Sequence, residues 1–162
     1  MDQKQFEKDQ LQRVDEARLP GRAERTERTR VHEVIPNHFF SAASSECRDT
    51  FIDGHYYACV SLEQAVAEGL VRFLNGFHPV GAKNDPNLQA QRLKKAGAFS
   101  QAALDAFLRI WSNDRNTFHH LNQDLPPKNE ELRQRAEDCV KALFEIESEL
   151  FAYDLADGEN HS

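Results

Sequence analysis

The sequence predicts an all-α fold, a bundle of about five core helices preceded by a charged helical arm. Three observations predict it. After Pro36 the apolar content rises and apolar residues recur at three- and four-residue spacing. No stretch alternates apolar and polar residues as a half-buried strand would. There is also no internal repeat and no low-complexity tract. At 162 residues the chain has the size of one domain. A domain of that size buries roughly 70% of its unfolded surface, so no disulfide or metal is needed to hold it.

Residues 1–36 form the arm. They carry eight basic and eight acidic side chains, and their apolar residues (Phe6, Leu11, Val14, Leu19, Val31, Val34, Ile35) are scattered. Pro20-Gly21 divides the stretch, which predicts two short helices with weak apolar faces. Such helices form no core of their own and must dock or fray. Glu24 and Arg28 are spaced to pair along a helix. Arg22, Arg25, Arg28 and Arg30 outnumber Glu24 and Glu27, which leaves a nucleic-acid arm as one reading and a solvated mixed-charge helix as the commoner one.

Residues 37–153 form the bundle. Asn37 is placed to cap a helix to about residue 53, with Phe40, Ala43, Cys47 and Phe51 along one face. Gly54 breaks it. Residues 55–77 are the most apolar helix, with Tyr56, Cys59, Val60, Val66, Leu70, Phe73, Leu74 and Phe77 on more than one stripe, which places it centrally. A loop through Pro79, Gly81 and Pro86 leads to a short helix near 88–93. A further helix covers about 99–111, with Phe99, Ala103, Phe107 and Ile110 at core spacing. Ser112-Asn113-Asp114 offers caps for a short helix ending near Asn122, and Pro126-Pro127 stops it. The last long helix covers about 130–153, with a stripe of Leu132, Ala136, Val140, Leu143 and Leu150 widened by Cys139, Phe144 and Ile146. Residues 154–162 read as a flexible tail.

Charge and motifs narrow the function. Twenty Lys and Arg against 27 Asp and Glu give a net charge of -7, which disfavours coating duplex DNA or an anionic membrane but leaves room for a locally basic site. Cys47, Cys59 and Cys139 make no CxxC pair and sit in apolar helical patterns, as buried reduced thiols do. With no apolar leader and no membrane-length apolar run, a cytoplasmic protein is expected. Phosphate loops, GxSxG and HExxH are absent. No Glu-x-x-His pattern suits a di-iron bundle, and no cofactor is implied.

The residues that remain are at 112–122. On a helix at 100° per residue, Asp114, Phe118 and Leu121 share one side. Arg115, Asn116, His119 and His120 fill an arc of roughly 140° on the other. A guanidinium grips phosphate in bidentate fashion. Imidazoles exchange protons near neutral pH, and an amide orients either partner. Together they suffice for metal-free RNA cleavage by the ribose 2′-hydroxyl. The plainer reading is a polar surface with an incidental His pair.

Arg115-Asn116-Thr117-Phe118-His119-His120 has the form Arg-polar-x-x-x-His and resembles the signature of HEPN domains (higher eukaryotes and prokaryotes nucleotide-binding). Its setting between a long helix and the final one is similar too. The segment Glu46-Cys47-Arg48 through Gly54-His55-Tyr56-Tyr57 to Glu68 resembles the front helices of bacterial members. The resemblance covers about residues 37–153. It implies a homodimer with the two Arg115–His120 helices meeting at a two-fold axis, an RNA substrate, and a toxin or phage-defence role, often beside an antitoxin. Other members bind nucleotides or serve only as interaction modules. Carried onto this chain, Arg115 would bind the scissile phosphate, His120 would be general base or acid, and Asn116 would position one of them. His119 shares the face of Arg115 and would be auxiliary.

Glu63 and Glu68 lie on the most apolar helix, and a partly buried carboxylate there could orient Arg115 or a His. Glu68 is the stronger candidate of the two, and solvent-facing carboxylates are the alternative for both. His55, Tyr56 and Tyr57 offer base stacking or, more commonly, packing. Arg109, Lys94 and Lys95 could extend a phosphate track or simply meet solvent, and Trp111 suits a helix junction. His119-His120 lacks nearby Cys or paired carboxylates, so no metal site is expected. Three readings follow: a HEPN-type ribonuclease, a non-catalytic module that binds a nucleotidyltransferase-type antitoxin or another protein, or an unrelated structural bundle.

Overall fold

The computed structural model describes residues 3–30, 40–82, 84–111 and 129–151. Among them there are six helices and no strand, as an all-α bundle requires. They are α1 (Gln3–Arg28), α2 (Ser41–Ile52), α3 (Tyr56–Phe77), α4 (Pro86–Lys95), α5 (Gln101–Trp111) and α6 (Asn129–Phe151). The predicted 112–122 helix, Asn37, Tyr153 and the 154–162 tail lie outside the described residues.

Local chemistry sets the helix ends. α2 closes in a Schellman turn: Gly54 takes φ +83° and donates to the Phe51 carbonyl at 2.9 Å, while His55 donates to Thr50 at 2.8 Å. α4 begins with Pro86 behind Asp85, whose carboxylate accepts the Leu88 amide at 2.9 Å. Ser100 caps α5 by accepting the Ala103 amide at 3.0 Å, and its own hydroxyl is tied to Glu149 of α6.

α3 is the central helix and touches α2, α4, α5 and α6. It buries Cys59, Val60, Val66, Ala67, Leu70 and Val71. The larger core joins Val66, Ala67, Leu70 and Val71 to Cys47, Leu93, Phe107, Ile110 and Ile146. A smaller cluster of Phe51, Cys59, Val60, Leu132, Ala136 and Val140 lies where α2 turns into α3. Each buried Phe or Leu removes apolar area worth roughly 1.5–3 kcal/mol from water. Phe73 and Phe77, expected on the core stripe, are exposed. They cluster instead with Phe40 and Phe151, the Phe73 centroid lying 5.8 Å from Phe40 and 4.9 Å from Phe77.

The arm differs from expectation. It is one helix of 26 residues with Pro20 inside it, not two. A proline removes one i→i−4 bond, and here both flanks are held helical from outside that break. Side-chain pairs four apart run along the first part (Gln3–Glu7, Gln5–Asp9, Gln12–Glu16), and the second part is pinned to the body. α1 buries none of its residues. It docks through polar contacts alone: Arg22 with Asp53 at 3.0 Å, Arg25 to the Ile52 carbonyl at 2.7 Å, and Arg28 with Glu137 at 3.3 Å. Thr29, just past its end, is buried and accepts from Arg48 through its carbonyl at 3.1 Å.

Candidate functional site

Two polar side chains from different helices meet on one backbone carbonyl of α5. The Ile110 carbonyl, on the last described turn of α5, receives two side chains from other helices: the Gln64 amide of α3 at 3.2 Å and the Arg135 guanidinium of α6 at 3.4 Å. Two residues later the chain enters the 112–122 segment. Gln64 is fully buried, and its Oε1 has no hydrogen-bond donor among the described residues.

Glu63 lies next to it at 0% exposure. Two thiols hydrogen-bond to it, Cys59 donating to its Oε1 at 3.4 Å and Cys139 from α6, and its charge reaches the third, Cys47 of α2. Its Oε2 has no partner among the described residues. Burial holds the carboxyl well above its usual range, against the thiols and the Arg135 charge, which pull it down. Burial beside this carboxyl likewise pushes all three thiols upward. Protonated, unreactive thiols follow.

Of the two α3 carboxylates Glu63 is fully buried, whereas Glu68 is partly buried, at 20% exposure, and forms an ion pair with Arg72 one turn along its own helix. The i±3 and i±4 neighbours of Glu63 are Cys59, Val60, Val66 and Ala67, all buried, and that pattern was present in the sequence. Arg135 and Gln64 were not foreseen, because their role depends on which carbonyl the bundle brings beside them.

Arg115, Asn116, His119 and His120 lie outside the described residues. Trp111, on the last described turn before them, stacks on Phe107 at 5.6 Å between centroids and anchors the junction. His55, Tyr56 and Tyr57 line an open cavity of about 400 Å³ with Gly54, Ala58, Asn129 and Leu132. Tyr56 serves packing there, 5.8 Å from Phe51. Arg109 is paired with Glu145. The four arginines that gave the arm its local positive excess are engaged, Arg22, Arg25 and Arg28 with the body and Arg30 with Glu27 at 3.7 Å.

Among the described residues no three His, Cys, Asp or Glu side chains are arranged to hold a metal ion, and no helix is long and apolar enough to cross a membrane. The chain matches no protein-family model, no curated protein and no solved structure.

Proposed function

We propose that the chain is a metal-independent endoribonuclease of HEPN type, acting in the cytoplasm as a homodimer and serving as a toxin or defence effector. The observation that carries the reading is the place of Arg115-Asn116-Thr117-Phe118-His119-His120 in an all-α chain. In sequence the motif falls between α5 and the described helix α6.

In this reading Arg115 binds the scissile phosphate and stabilises the phosphorane charge. One imidazole, that of His120, removes the 2′-hydroxyl proton or returns one to the leaving 5′-oxygen. The second copy supplies the complementary group across the two-fold axis. The O2′–P bond forms as the P–O5′ bond breaks, leaving a 2′,3′-cyclic phosphate and a 5′-hydroxyl. Asn116 positions one partner and His119 contacts substrate. Glu68, ion-paired with Arg72, is auxiliary.

The test is labelled RNA incubated with purified protein in EDTA, beside Arg115→Ala and His120→Ala. Cleavage to cyclic-phosphate ends that both substitutions abolish is expected. An inert wild-type dimer on several RNAs would move the reading to a non-catalytic module that binds an antitoxin or other protein. The arm favours that second reading: Phe6, Leu11, Val14 and Leu19 are exposed along a helix that buries nothing.

A further inference from the structure

We propose that the free half of α1 is a self-recognition surface, on which the same helix of a second copy of this chain lies antiparallel. The proposal rests on α1 alone and is independent of the reading of residues 112–122.

One stripe runs along α1. Leu11, Val14, Arg18, Arg22, Arg25 and Thr29 follow at three- and four-residue spacing and fall within an arc of about 80° at 100° per residue. Its far end is already an interface: Arg22 pairs with Asp53, Arg25 donates to the Ile52 carbonyl, and Thr29 is buried. Toward the N-terminus the same stripe presents Leu11 at 68% exposure and Val14 at 44%. Residues 3–20 are exposed, with Asp9 alone half-buried. A surface that binds protein at one end therefore continues in apolar side chains that the described residues leave uncovered.

The charges choose the occupant. Leu11 and Val14 have the a and d spacing of a two-helix seam, and Glu7 and Arg18 are the next seam positions on either side. A two-fold axis between Gln12 and Arg13 lays Leu11 against the partner's Val14. Glu7 then meets the partner's Arg18, and Lys8, beside the seam, meets the partner's Asp15. Symmetry repeats each contact. A parallel pair would instead set Glu7 on the partner's Glu7 and Arg18 on the partner's Arg18, which costs affinity.

The length of the arm agrees. The free stretch, residues 3–21, has its middle at Gln12, close to that axis, so the bundles joined from Arg22 onward lie beyond opposite ends of the pair. Phe6 and Leu19 stand off the stripe and stay exposed. Two Leu–Val layers bury little, so the association is weak and reversible, and any second contact between copies reinforces it through effective concentration.

Cross-linking reads the contact and its direction together. Leu11→Cys and Val14→Cys are made separately in the full chain, whose own Cys47, Cys59 and Cys139 are buried. An equal mixture is oxidised mildly, and disulfide-linked products are counted by mass spectrometry. Products joining position 11 to position 14 should exceed same-position products by about tenfold. Glu7→Arg in both chains should cut their yield by about tenfold, and adding Arg18→Glu should return it to within about twofold. Dominant same-position products would overturn the antiparallel pair. A yield indifferent to the charge reversal would overturn the complementarity that selects a second copy. No cross-link at all would likewise overturn the proposal and leave the stripe to a protein of different sequence.

Discussion

The ring of Phe40 lies over Gly69 of α3, so close that a Cβ at 69 would stand 2.8 Å from its Cε1. Glycine in a helix interior is disfavoured by about 1 kcal/mol relative to alanine, and here the close approach supplies the reason for it. Gly69→Ala is expected to lower stability by about 1 kcal/mol, because the gain in helix propensity is outweighed by displacing Phe40 from its edge contact with Phe73. In a Phe40→Ala background the same substitution should stabilise by roughly 0.5–1 kcal/mol. Urea melts of the four proteins read the change of sign, and a loss that persists without Phe40 would refute the contact.

Glu147 of α6 is buried and bonded to the Ser44 hydroxyl, and burial raises its pKa from 4.5 to about 6. The folded state therefore favours its protonated form. Its contribution is fully present below pH 4.5 and is lost as pH rises through 6. The loss is about 2 kcal/mol from the usual 1.36 kcal/mol per unit. Glu147→Gln should stabilise the protein by roughly 1–2 kcal/mol at pH 8 and change little at pH 4. Chemical denaturation at the two pH values decides it.

The arm answers to the opposite end of the pH scale. Burial pushes the Glu137 carboxyl upward, but Lys141 at 2.7 Å and Arg28 more than offset it and leave it below its usual value. That stabilisation is present above pH 4.5 and disappears as pH falls through the folded value. Because α1 docks by charge, 1 M salt or Arg28→Ala should speed amide exchange across residues 21–30 several-fold, with α3 and α5 unaffected. Equal loosening of the whole chain would show instead that the arm and bundle unfold as one unit.

The three thiols are buried and shifted upward, so a thiol-reactive dye at pH 8 should leave all of them unmodified for many minutes and titrate three in denaturant. Rapid reaction of one in the native protein would show that the Glu63 pocket opens.

Helical spacing made the bundle legible. Phe51, Leu70, Phe107 and Leu143 are all buried as their periodicity implies. What the spacing could not carry was the effect of one element on another. Pro20 reads as a break until Arg22, Arg25 and Arg28 are seen pinned to the body beyond it. Phe73 and Phe77 read as core by spacing, yet both are exposed and meet other rings instead. Asp85-Pro86 marks the α4 start ahead of the apolar residues whose spacing defines the predicted helix. The candidate site divides the same way. Arg115 and His120 stand out by residue type, whereas Gln64 and Arg135 matter only through a carbonyl 46 and 25 residues distant.

The exposed arm also bears on how assembly should be measured. Twenty-six helical residues extend about 39 Å at 1.5 Å each. A 162-residue compact domain has a radius of gyration of only about 15 Å by the usual scaling. A rod attached to a ball drags more solvent than its mass implies, so a monomer of 18.6 kDa will elute early and pass for a pair. Light scattering, which weighs the particle rather than timing it, is the measurement that separates hydrodynamic size from stoichiometry.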